Sequence, residues 1–235
     1  MRELIYYFEK SFYTHLLSFF IAIIALIISL QKNKEHKSLK NFKFYFLAYI
    51  IACLLIFSTV LFAKTRYYFL PKIVAPALDF AFTIIEFLMF ASFFKNLLAI
   101  TKYVTQIRRI QRLFILVALG LTIRDILAFT MLRQETLQNI FTIQAICLII
   151  LCIFYYITLF QIEPIPVLKG NPEFLVATGL SFLLISTLPL SIFINYIERY
   201  SYGFYRYLFS IFHVFYCLLF LMIIRAYLCK PTTTK

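Results

Sequence analysis

Long apolar stretches alternate along this chain with short polar breaks. Seven stretches stand out: Ser11–Leu30, Phe44–Phe62, Ile73–Phe94, Leu113–Leu132, Ile140–Phe160, Phe174–Ile197 and Tyr207–Leu228. Each runs 19 to 24 residues, and a helix of about 20 apolar residues crosses the hydrocarbon core of a bilayer. The pattern predicts an all-α polytopic membrane protein, a seven-transmembrane-helix bundle that forms one domain over residues 1–235. The segment Lys95–Arg112 lacks Gly and Pro, and Leu97, Leu98, Tyr103, Ile107 and Ile110 recur in it at near-helical spacing. It predicts an amphipathic extension of a neighbouring helix.

Helix ends are legible in places. Asn171-Pro172-Glu173 opens the sixth span with a capping Asn, a Pro at the first helical position and an acid in the first turn. Pro189 falls inside that span, where it removes a backbone donor and predicts a kink. The opening residues, Met1 to Lys10, are acidic as well as basic, and no small-residue cleavage site follows the first apolar stretch. That stretch reads as a retained helix rather than a signal peptide.

Lys and Arg set the expected orientation. One side carries Lys32, Lys34, Lys37, Lys40, Lys43, Lys95, Lys102, Arg108, Arg109, Arg112, Lys169, Arg225, Lys230 and Lys235. The other carries Arg2, Lys10, Lys64, Arg66, Lys72, Arg124, Arg133, Arg199 and Arg206. Fourteen against nine predicts the N-terminus out and the C-terminus in.

Composition agrees with the pattern. Apolar residues make up 63% of the chain and charged residues 14%, with 29 Phe, 17 Tyr and no Trp. Soluble domains carry about a quarter charged residues, so an ordinary globule and a disordered chain are both excluded. A net charge of +13 would suggest nucleic acid in a soluble protein. Here the basic loops suit anionic headgroups, and no nucleic-acid-binding signature is present. Membrane lipids are the expected partners. The five Cys lie in or beside apolar runs without a CxxC, so neither disulfides nor a metal cluster is expected.

Polar groups inside spans are costly, and function is sought there first. Asp79 and Glu86 lie seven residues apart in span three and share a helical face. Arg124 and Asp125 fall in span four, Gln144 in span five, and His213 and Tyr216 in span seven. With the N-terminus out, several of these occupy the same outer half of the bundle, as the lining of a ligand-binding pocket would. Alternatively, Arg124 neutralises Asp79 or Glu86 as a structural ion pair. Adjacent Arg124 and Asp125 point about 100° apart, so no pair is expected between them. His15 and His36 look weaker than His213. Tyr155 and Tyr156, like Tyr216, read first as packing and helix-to-helix hydrogen bonds.

Catalytic patterns largely fail. His213 and Cys217 share a face at i, i+4, but only Asp79 and Glu86 are at hand to complete a zinc site. Span seven has no Lys for a retinal Schiff base, and no P-loop, GxSxG, HExxH or potassium-filter motif occurs. No cofactor, metal or catalytic residue is assigned.

Three short motifs carry a resemblance. Phe82-Thr83-Ile84-Ile85-Glu86-Phe87, Asn171-Pro172-Glu173-Phe174 and Ile211-Phe212-His213, in this order, resemble a seven-helix membrane family common in Bacteroidota. That family resembles stand-alone seven-helix sensor regions and has no assigned activity. The resemblance singles out Glu86 and His213. The expected function is a receptor-like or accessory membrane protein sensing a small molecule or proton, with a homo-oligomer or a cytoplasmic partner at the basic loops. The alternatives are a transporter, a channel or an oligomeric permeabilising effector and, less favoured, a membrane enzyme acting on lipid.

Overall fold

A computed structural model of the chain describes residues 2–32, 37–65, 70–99, 101–127, 134–161, 170–200 and 202–229. Side chains are described over 13–32, 38–58, 77–99, 101–125, 136–161, 170–193 and 210–229. These residues form seven α-helices: α1 Arg2–Lys32, α2 Phe42–Thr65, α3 Leu70–Leu97, α4 Val104–Leu127, α5 Gln134–Phe160, α6 Pro172–Tyr200 and α7 Tyr202–Leu228. A short 3-10 turn, Lys37–Leu39, precedes α2. The chain is a multi-pass helical membrane protein. Among the described residues, five stretches are long and apolar enough to cross a bilayer: Tyr13–Lys32, Ala77–Leu97, Thr136–Phe160, Pro172–Phe193 and Ser210–Leu228, with Phe42–Ser58 a shorter apolar helix.

The helices close into a ring. α1 packs on α2, α2 on α3, α3 on α5, α5 on α6, α6 on α7, and α7 returns to α1. α4 stands outside, against α3 and α5. Its buried positions explain why: Ile107, Phe114, Ala118 and Asp125 recur at sevens and fours, giving one narrow inward stripe. Leu113, Leu116, Leu119 and Ile123 of α4 are exposed, as befits a lipid-facing surface.

The fourth span differs from its expected bounds. α4 starts at Val104, so part of the basic connector is its first turns, which settles the amphipathic extension in favour of the later helix. Between Arg112 and Arg124 the apolar run is only Leu113–Ile123, about 16 Å at 1.5 Å per residue, roughly half a hydrocarbon core. The charges at both ends keep α4 from qualifying as a span by composition.

Small residues set the close approaches. Ser18, Ala22, Ala25 and Ser29 of α1 are all fully buried, and such a stripe lets helix backbones come near each other in a membrane. Gly179 of α6 does the same toward α7, where an added Cβ would lie 3.0 Å from the Met222 Cβ. The α6 cap forms as its sequence predicts: the Phe174 N–H donates to Asn171 Oδ1 at 3.0 Å. Pro189 lies within the continuous helix α6. At the end bearing the basic loops, the Tyr227 hydroxyl donates to the Leu39 carbonyl at 2.6 Å, and Ser38 donates to Glu173 at 2.7 Å. These bonds draw the α1–α2 connection onto α7 and α6.

Candidate functional site

Glu86 lies inside the ring and is 2% exposed. Its helix supplies the reason. Glu86, Phe87, Phe90, Ala91 and Phe94 fall on the face of α3 that turns inward, and a carboxylate on that face meets whatever the neighbouring helices offer. Three of them offer donors. The Tyr45 hydroxyl of α2 donates to Glu86 Oε1 at 2.8 Å. Gln144 Nε2 of α5 donates to Oε2 at 2.8 Å, and the Tyr216 hydroxyl of α7 donates to the same oxygen at 3.2 Å. No cation among the described residues pairs with this carboxylate. A desolvated carboxylate is tolerable only where hydrogen-bond donors replace its water, and here four of the seven helices meet to do so.

Aromatic rings enclose the group. Tyr45 stacks on Phe82 with centroids 5.8 Å apart and meets Phe90 at 5.4 Å and Phe220 at 6.0 Å. Tyr49 meets Phe82 at 5.5 Å and Phe220 at 4.9 Å. The Tyr49 hydroxyl donates to Ser18 Oγ at 2.8 Å, which brings α1 into the same polar region.

Toward the end opposite the basic loops, the rings of His15 and His213 approach to 3.4 Å between centroids, joining α1 to α7. His213 Nδ1 is buried without a hydrogen-bond partner. His213 stands one turn from Tyr216 on α7, three residues apart.

Glu86, Gln144 and Tyr216 therefore come together, and His213 lies one turn away. Asp79 is on the exposed side of α3, near enough to act electrostatically on Tyr216. Arg124 and Asp125 stand apart from this group, near the end of the outlying α4. They do pair, contrary to the expectation from their helical angle. Arg124 Nη2 and Nε both donate to Asp125 Oδ1, at 3.0 and 3.3 Å, and Nη2 also donates to Thr136 Oγ1 at 3.0 Å. The long guanidinium arm bridges the 100° that separates the two Cβ atoms. Arg124 is 58% exposed and Asp125 3%, so the pair anchors α4 to α5. Tyr156 bonds across to Thr178 and Ser181 of α6, as a helix-to-helix tie. Among the described residues no three His, Cys, Asp or Glu side chains gather as a metal site would require.

Three participants escaped the sequence reading, Tyr45, Tyr49 and Ser18, and a fourth, His15, was ranked below His213. The available signal was Tyr45 and Tyr49 at i, i+4 in an apolar helix, where a buried phenol needs a partner for its hydroxyl. Comparison with protein-family models, with curated proteins and with solved structures finds no match.

Proposed function

We propose that this protein is a receptor-like sensor of the bacterial inner membrane, with its sensing site at Glu86. One observation carries the reading: a buried carboxylate takes donors from three other helices, with no cation among the described residues to neutralise it. A purely structural tie between helices needs only neutral partners. A group that is able to carry charge at this depth marks a place where a ligand or proton acts, and one that touches α2, α3, α5 and α7 transmits its state to most of the ring. The short motifs around Glu86 and His213 support the likeness to seven-helix sensor regions. The N-terminus lies outside, by the basic bias of the loops, and the basic end faces the cytoplasm, where it meets anionic lipid or a protein partner.

Native mass spectrometry of the protein released from lipid nanodiscs, beside infrared spectra of the same nanodiscs, tests this reading. A monomer or dimer is expected, with Glu86 either holding a discrete added mass that Glu86→Gln loses or changing protonation. A ring of five or more subunits, with neither behaviour at Glu86, would instead indicate a pore.

A further inference from the structure

The species that binds at Glu86 is, we propose, a proton, and the Gln144 amide turns over to receive it. This rests on Glu86 being the sensing site and narrows what it senses.

Space is the first argument. Tyr45, Phe87, Phe90 and Phe220 are fully buried, Gln144 is nearly so, and the rings around the carboxylate are in direct contact with one another. An organic ammonium would need this cage to open. A proton needs no volume.

The second argument is hydrogen-bond balance. Tyr45, Gln144 and Tyr216 all donate to Glu86, which is the arrangement an acceptor-only carboxylate requires. Protonation converts one carboxyl oxygen into a donor, and a donor needs an acceptor. Gln144 holds one in reserve: its Oε1 is buried and has no partner. Half a turn of the amide exchanges Nε2 for Oε1, so that Oε1 accepts from the new O–H on Glu86 Oε2. The two phenols keep donating to the carboxyl oxygens. Glu86 is thereby paired in both protonation states, and the two states differ in the orientation of one side chain on α5.

The third argument is access. His213 Nδ1, buried and unpartnered, lies one turn from Tyr216 on the side away from the basic loops. An imidazole there takes a proton at Nδ1. A turn of the His213 side chain that brings Nδ1 to the Tyr216 hydroxyl lets that hydroxyl pass its own proton to Glu86 and recover the one from Nδ1, so one proton enters and one arrives. Among the described residues, the other titratable groups around this path are Tyr45, Tyr49 and Cys53 from α2, Asp79 from α3, His15 from α1 and Cys217 from α7. α5 contributes neutral Gln144, α4 contributes Phe114 against Phe87, and the charged side chain described on α6 is Glu173, at the basic end.

Infrared difference spectra of nanodisc-embedded protein, stepped from alkaline to acidic buffer, test the proposal. A protonated-carboxyl C=O band is expected, together with an amide side-chain band. Glu86→Gln abolishes the carboxyl band, Glu86→Asp moves it, and Asp79→Asn leaves it in place. Gln144→Met removes the amide band and shifts the carboxyl band to higher frequency, because the acceptor is lost. His213→Phe slows the rise of the band after a pH jump by about tenfold or more. A band that persists in Glu86→Gln, or that is unmoved in Gln144→Met, overturns the proposal. An added organic mass lost in Glu86→Gln, without any carboxyl band, overturns the proton while upholding the sensing site. Neither mass nor band overturns both.

Discussion

At the scale of the residue, Glu86 organises the interior of the ring. Glu86→Ala strands three buried donors, on Tyr45, Gln144 and Tyr216, and each costs about 1–3 kcal/mol when left unpaired. The expected result is a loss of several kcal/mol, read as a clear drop in the unfolding temperature of the protein in nanodiscs. Glu86→Gln retains an acceptor oxygen and is expected to lose much less. Equal melting of Glu86→Ala and the parent would show that the donors find other partners. Glu86, Gln144 and Tyr216 were legible as polar interruptions of apolar runs. Tyr45 and Ser18 were not, because an apolar helix uses Tyr and Ser for packing as readily as for a site.

Elements meet here through size rather than through hydrophobicity, since lipid is as apolar as any side chain. Gly179 shows the consequence. A larger side chain there runs into Met222 and Leu219 of α7, and such overpacking costs about 1–3 kcal/mol. Gly179→Val is expected to lower the melting temperature. Gly120→Ala, on α4 with nothing within 4 Å of the new Cβ, is expected to leave it unchanged or raise it. The reverse order of effects would mean that α6 and α7 are not in close contact. Six of the seven apolar stretches match helices that are apolar over their described length. The fourth does not, because its charges bracket a short run, and it stands outside the ring against α3 and α5.

For the whole molecule, charge and topology point the same way. The basic end gathers Lys40, Lys43, Lys95, Lys102, Arg108, Arg109, Arg112 and Arg225, and among the described residues at that end Glu173 is an acid already engaged by Ser38. An end so charged is expected on the cytoplasmic side. A green fluorescent protein fused after Lys235 is therefore expected to fluoresce in cells, and a cysteine introduced by Leu4→Cys is expected to react with an impermeant maleimide from outside. Labelling only after the membrane is broken, with a dark fusion, would reverse the orientation.

The amino-acid sequence by itself determined that the chain is helical and membrane-embedded, about where its helices run, and which polar side chains the membrane must accommodate. These follow from length, hydropathy and helical period, which are local properties. Tertiary structure alone decided which of those groups meet. Asp79 and Glu86 share a face of α3, yet Glu86 turns to the centre and Asp79 is exposed. Arg124 had two acids to choose from in α3 and instead holds its neighbour Asp125 and Thr136. His15 gained its place only when α1 closed the ring against α7. Lipid-facing apolar residues look alike on every helix, so one sequence carries almost no record of helix order around the bundle, and it is that order which brings Tyr45, Gln144 and Tyr216 onto one carboxylate.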